Sequence, residues 1–120
     1  MNQSTDALVQ LMETIESRKK GPPQKSYTQS LLDGGVSKIG AKIVEEAHEV
    51  VEAADEHSAN PDSDSAARQH VVHECADLIY HLFVLMAHQD VSLNDVQNEL
   101  ARRFGISGID EKASRKKAPE

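Results

Sequence analysis

The stretch Ser37–Asp55, SKIGAKIVEEAHEVVEAAD, decides how the chain is read. At about 100° per residue, Ile39, Ile43, Ala47, Val50, Val51 and Ala54 fall on one side of a helix, an apolar face suited to packing on a core. Lys38, Lys42, Glu45 and Glu49 form a second row, stepped by four, three and four residues, and Glu46 lies between the two rows. The polarity of the charged row runs against helix stability. Lysines stand at the N-terminal end, where the helix dipole favours anions, and the acids follow. A solvated face with weak pairs such as Lys42 with Glu46, each contributing ~0.3 kcal/mol, is the ordinary outcome on a surface helix and does not explain that order.

A second acidic pair does. Glu74 and Asp77 repeat the three-residue step of Glu46 and Glu49 at the edge of another apolar run. On facing helices these pairs bring four carboxylates together, and their repulsion raises their pKa values unless a cation neutralises them. Oxygen donors without histidine suit Mg²⁺ or Mn²⁺. A di-iron bundle would need two Glu-x-x-His pairs, and the chain offers one, Glu45 with His48, whose imidazole points about 160° away from Glu46. Of the other histidines, His70, His73 and His88 read as ordinary, partly exposed side chains. His81, nearer the core edge, is a candidate to orient a carboxylate or contact a substrate. No phosphate-cradling Gly-x-x-x-x-Gly-Lys-Ser loop and no Gly-x-Ser-x-Gly elbow is present.

Working outward, Leu8, Leu11, Met12 and Ile15 predict a helix over 6–18, and Gly21, Pro22 and Pro23 interrupt the chain after it. Ser26 is placed to cap a short helix from Tyr27 to about Asp33, which Gly34 and Gly35 end. The central helix then runs to about Glu56, and the turn-rich segment 58–64 with Pro61 separates it from a strongly apolar helix over 65–89. Ser92 and Asp95 form a capping box before a last helix carrying Val96, Leu100 and Phe104. The expectation is one all-α domain over residues 1–105, a bundle of four to five helices, followed by a polar tail over 106–120. One thin helical layer hardly encloses a site, so assembly as a homodimer or a higher even oligomer is expected.

Composition narrows the function. With 120 residues the chain has room for one domain, and with 3% aromatic residues its core is aliphatic. A formal charge of −7 and a pI near 5.3 argue against a nucleic-acid coat, which needs a basic surface. Cys75, the only cysteine, falls on an apolar helix face and allows neither an intrachain disulfide nor a cysteine zinc cluster. No apolar run approaches the ~20 residues of a membrane span, and no signal-peptide pattern opens the sequence, so a cytoplasmic location is expected.

The acids Glu45, Glu46 and Glu49, followed after a helix–loop–helix span by Glu74 and Asp77, resemble the all-α nucleoside triphosphate pyrophosphohydrolases, the MazG-like group. SYT at Ser26–Thr28, GVSKIGAK at Gly35–Lys42 and ECADLIYH at Glu74–His81 look more narrowly like the phosphoribosyl-ATP pyrophosphatase family of histidine biosynthesis. That resemblance implies Mg²⁺-dependent hydrolysis of the α–β phosphoanhydride of phosphoribosyl-ATP to phosphoribosyl-AMP and pyrophosphate in a helical homodimer. It implies Glu46, Glu49, Glu74 and Asp77 as metal ligands and Lys38 and Lys42 as phosphate contacts. Glu45 or a metal-bound carboxylate such as Glu49 is the candidate base. Ser26, Tyr27, Thr28, His81, Arg102 and Arg103 are further substrate-binding candidates. The rival readings are a house-cleaning pyrophosphohydrolase for noncanonical nucleotides and a non-catalytic helical interaction module.

Overall fold

The protein, seen in a computed structural model, is described over residues 3–20, 26–59 and 65–104. Four helices carry it: α1 (Gln3–Lys20), α2 (Tyr27–Ala59), α3 (Ser65–His88) and α4 (Leu93–Arg103). No strand occurs among the described residues, as the all-α reading requires. Most of the two expected loops, and the whole 106–120 tail, lie outside the described residues.

The short helix expected from Tyr27 and the long one from Ser37 form one element interrupted at Gly35, whose φ of 73° and ψ of −167° redirect the chain. Only glycine takes that conformation without strain. Gly34 stays helical, and a side chain there would overlap the aliphatic stem of Lys38. Lys38 then bends back to donate from Nζ to the Ser30 carbonyl at 3.3 Å, satisfying an acceptor just ahead of the break. At the start of the element the Ser26 hydroxyl accepts from the Gln29 amide at 3.0 Å, the N-cap read from sequence.

α2 and α3 pack antiparallel, as the contacts of Tyr27 with His81 and of Glu49 with Glu74 show. α1 lies against both. The apolar core gathers where the three meet: Met12 and Ile15, Leu31 and Ile39, and Phe83, Val84, Met86 and Ala87 are buried. Lys19 closes that end. Its ammonium donates to the Ala87 carbonyl at 2.7 Å and to Asp90 Oδ1 at 2.6 Å, so a side chain of α1 caps the C-terminus of α3. Asp90 itself takes the left-handed conformation, φ 59°, that ends the helix.

The face that α2 buries differs from the one expected. Ile39, Glu46 and Ala53, seven residues apart, are the buried row, whereas Val51 is 59% exposed and Ile43, Ala47, Val50 and Ala54 are half-buried. The helix is rotated by roughly 70° from the purely apolar solution, which brings the Glu46 carboxylate against α3. Hydrophobic burial alone would not choose that rotation.

The chain divides into two units, Met1–Asp90 and Val91–Glu120. In the second, α4 opens with the expected capping box: the Asp95 amide donates to Ser92 Oγ at 3.0 Å and the Ser92 amide donates to Asp95 Oδ2 at 2.9 Å. No helix among the described residues is long and apolar enough to cross a membrane.

Candidate active site

Three carboxylates converge between α2 and α3. Glu46, Glu49 and Glu74 each offer an oxygen within 4.8 Å of the others, with Glu46 and Glu74 buried and Glu49 half-buried. Partial burial first, then the charges of Glu46, Glu74 and Glu45, push the Glu49 carboxyl above its ordinary range. Glu46 Oε1 and Glu74 Oε1 are buried without any hydrogen-bond partner. Stripping water from carboxylate oxygens and giving nothing back is costly, and a hard cation is the partner that suits an all-oxygen donor set. Glu46, Glu49 and Glu74 thus fit Mg²⁺.

Asp77 extends this set, sharing with Glu74 and His73 a second group of donor atoms within 4.8 Å. His73 Nε2 lies 3.4 Å from Asp77 Oδ2 and is mostly exposed. On the other side of Glu74, His70 Nε2 contacts Oε2 at 3.1 Å, leaving Oε1 as the free oxygen. Glu49, Glu52, Ala53, Glu56, His70 and Glu74 line a cleft of about 280 Å³. Its lining is predominantly acidic.

Beside these acids lie a lysine and a group of aromatic side chains. Lys42 Nζ lies 3.2 Å from Glu45 Oε1 and 3.7 Å from Glu46 Oε2, and the Glu45 hydrogen bond holds its ammonium above the usual lysine range. Next to it stands Tyr27, whose phenol burial pushes up and the Lys42 charge pulls down. Tyr27 Oη is 2.9 Å from His81 Nε2, and the Thr28 hydroxyl bonds the Tyr80 hydroxyl. Three consecutive residues, Ser26, Tyr27 and Thr28, are therefore each anchored through a hydroxyl.

The family model for phosphoribosyl-ATP pyrophosphohydrolase matches residues 8–104. The chain belongs to that family. A phosphoribosyl-ATP pyrophosphatase of Rhodopirellula baltica is 50% identical over 115 residues, covering 96% of this chain and 91% of the relative. One of Nitrosospira multiformis is 50% identical over 111 residues, with 92% and 84% covered, and one of Geobacter sulfurreducens is 44% identical over 115 residues, with 96% and 98% covered.

Within the family match, α2 and α3 bring together Glu45, Glu46, Glu49, Glu74, Asp77, Lys42, Tyr27 and His81 in the first unit. Lys38 reaches back to Ser30 instead of towards the acids. Arg102 and Arg103 belong to the second unit, where both pair with Glu99: Arg102 Nη2 at 2.7 Å and Arg103 Nε at 3.0 Å from Oε2. Those bonds hold the Glu99 carboxyl down at about 2. His70, read from sequence as an ordinary, partly exposed side chain, contacts Glu74 and lines the cleft, as its place four residues before Glu74 allowed, and Glu52 and Glu56, which extend the acidic row of α2 by whole turns, carried a signal that the sequence reading did not use. Tyr80 carried no such signal, because its partner Thr28 lies 52 residues away.

Proposed function

We propose that this chain hydrolyses the α–β phosphoanhydride of phosphoribosyl-ATP, giving phosphoribosyl-AMP and pyrophosphate, in the histidine-biosynthetic pathway of the cytoplasm. Family membership supports the substrate, and the paired orphan oxygens of Glu46 and Glu74 support the chemistry. Mg²⁺ held by Glu46, Glu49, Glu74 and Asp77, with Mn²⁺ able to replace it, supplies neutralisation of the polyphosphate charge that otherwise repels a nucleophile.

The protein's own groups do the rest. The cleft lined by Glu49, Glu52, Glu56 and Glu74 is acidic, and Lys42, beside Glu45 and Glu46, is the cation on α2 nearest these acids that can meet an anionic nucleotide. Water gives its hydroxyl to one of the two phosphorus atoms of the anhydride and its proton to a carboxylate; the bond from that phosphorus to the bridging oxygen breaks, and the bridging oxygen stays with the other product, pyrophosphate for attack at the α-phosphorus and phosphoribosyl-AMP for attack at the β-phosphorus. Glu45 serves as the acceptor: it lies outside the Glu46–Glu49–Glu74 triad, beside Lys42, with its side chain 53% exposed. Lys42, a shared neighbour of Glu45 and Glu46, stabilises charge on the departing group, and Lys38 serves beside it after releasing Ser30.

The exposed Val44 and Val51 on α2, seven residues apart, support a homodimer formed through this stripe. Sedimentation of the wild type as a dimer, and of Val44→Asp/Val51→Asp as a monomer, is the expected outcome; an unchanged sedimentation coefficient would place the contact elsewhere. For the activity, pyrophosphate release is followed with phosphoribosyl-ATP and a panel of canonical and noncanonical nucleoside triphosphates in Mg²⁺. Preference for any member of the panel overturns the substrate. A fall in kcat of roughly 100-fold or more in Glu45→Gln, with Mg²⁺ affinity retained, supports the base; wild-type kcat removes it from that role.

A further inference from the structure

Away from the acids, α1, α2 and α3 together line a second cavity, of about 230 Å³, formed by Arg18, Lys19, Gln29, Leu32, Asp33 and His88. In a chain of formal charge −7 its lining is the reverse of the acidic cleft, two cations against one carboxylate. Lys19 is committed to the Ala87 carbonyl and to Asp90. Arg18 and Asp33 are exposed, and no hydrogen bond or ion pair to another described residue engages either. The cavity therefore presents a guanidinium that lacks an anion and a carboxylate that lacks donors. A guanidinium fork matches the oxygens of a phosphate, and a carboxylate accepts from hydroxyls. A sugar phosphate carries both partners on one small frame.

The place of the cavity in the fold ties it to the cation cleft. Glu74, His81 and His88 follow one another at seven-residue steps, so they lie along one face of α3 with a drift of only about 20° per step. The acids gather at Glu74, the Tyr27 and Tyr80 rings meet His81 edge-on, and the cavity lies at His88. From Glu74 to His88 the axis advances roughly 21 Å, at about 1.5 Å a residue. Phosphoribosyl-ATP is elongated in the same order, with polyphosphate at one end, a phosphorylated ribose at the other, and a ribose and adenine between them. Resting on the functional reading above, we propose that the cavity holds the phosphoribosyl group of the substrate, with Arg18 donating to its phosphate and Asp33 accepting from its ribose hydroxyls. The aromatic group at His81 then lies against the nucleoside. Such a site separates phosphoribosyl-ATP from ATP, which has nothing to place in it.

The full-length protein supplies two readouts. Ribose 5-phosphate, titrated without nucleotide, should shift the backbone amide NMR signals of Gln29, Leu32, Asp33 and His88, leave those of Glu49 and Glu74 in place, and inhibit phosphoribosyl-ATP turnover competitively. Shifts confined to the neighbourhood of the acids, or inhibition that phosphoribosyl-ATP does not relieve, overturn the proposal. In Mg²⁺, the preference for phosphoribosyl-ATP over ATP is read as the ratio of their kcat/KM values. It should fall roughly 10- to 100-fold in Arg18→Gln, the weight of charge-assisted hydrogen bonds, and recover in part in Arg18→Lys, which restores the charge without the fork. Asp33→Ala should lower it roughly 10-fold. Both side chains are exposed, so these substitutions leave the core as it is. A ratio unchanged in Arg18→Gln overturns the proposal. Failure of the wild type to turn over phosphoribosyl-ATP overturns the functional reading and the substrate role of the cavity together, whereas turnover without any shift at Gln29, Asp33 or His88 overturns the role of the cavity alone.

Discussion

Where α2 and α3 lie against α1, the hairpin buries Leu31, Ile39, Phe83, Val84, Met86 and Ala87 together with Met12 and Ile15. Towards the other end of the same two helices it buries Glu46, Glu74 and Ala53 and leaves Val44, Val51 and Val72 in solvent. The first end is an ordinary core, in which each large side chain contributes about 1.5–3 kcal/mol by leaving water. The second end buries carboxylates, whose charges help hold the neighbouring Glu49 carboxyl above its ordinary range and work against folding. Separating the two lets an electrostatically unfavourable site persist, because the stability that tolerates it is generated elsewhere along the same helices.

That contrast is most directly broken by neutralising one buried acid. Glu46→Gln should lower phosphoribosyl-ATP turnover by more than the roughly 100-fold that loss of an outer-sphere partner costs a metal site. It should also abolish the Mg²⁺-dependent rise in unfolding free energy, about 2.7 kcal/mol at a hundredfold excess over Kd, while leaving the cation-free protein no less stable than wild type. Stability lost without Mg²⁺ would mean that Glu46 holds the fold and not the ion. At the other end the signs reverse. Ile15→Ala, at a side chain 1% exposed, should cost about 2–4 kcal/mol by urea unfolding with or without Mg²⁺ and leave Mg²⁺ affinity unchanged in the folded protein. Coupling between the Ile15 cost and Mg²⁺ would show that the two ends are not independent.

Helices, caps and the Gly35 turn were legible from sequence because each is decided within a few residues: Ser26 with Gln29, Ser92 with Asp95, Gly35 by its own backbone. The acidic pairs were legible for the same reason, a three-residue step on a helix. What one-dimensional periodicity missed was the rotation of α2. A hydrophobic stripe centred near Ile43 and Ala54 is the natural choice for a lone helix, whereas Ile39–Glu46–Ala53 is the inward row, with Glu46 set against Glu74 of α3, a contact that no periodicity within α2 specifies. Contacts across the hairpin, Thr28 with Tyr80 and Tyr27 with His81, were likewise out of reach, since nothing local to either partner specifies the other.

A smaller effect tests the closed end through its polar seal. Lys19 donates to the Ala87 carbonyl and pairs with Asp90 across 71 residues of sequence. Lys19→Met keeps the aliphatic stem and removes both interactions, and should cost about 1 kcal/mol with an unchanged urea dependence. A loss much larger than this would make the seal part of the core, and none at all would make it a surface ornament.

The weakest effect distinguishes the two ends by sign. At the open end the Glu49 carboxyl is raised above its ordinary 4.5 by partial burial and by neighbouring acids. Acidification from neutral pH through that raised value removes repulsion, so the cation-free protein gains stability until free glutamate in the unfolded chain also takes up protons near 4.5. At the closed end the Lys19 hydrogen bond lowers Asp90 from its ordinary 3.8, so its contribution is complete above 3.8 and disappears as pH falls through the folded value. Cation-free stability should therefore include a component that rises as pH falls from neutral towards 4.5, absent in Glu49→Gln and suppressed by Mg²⁺, and one that falls below 3.8, absent in Lys19→Met. Urea unfolding at fixed ionic strength across that range reads both. If Glu49→Gln left that rise as it is in wild type, the acids would not repel one another in the free protein, and the cation would have no strain to relieve.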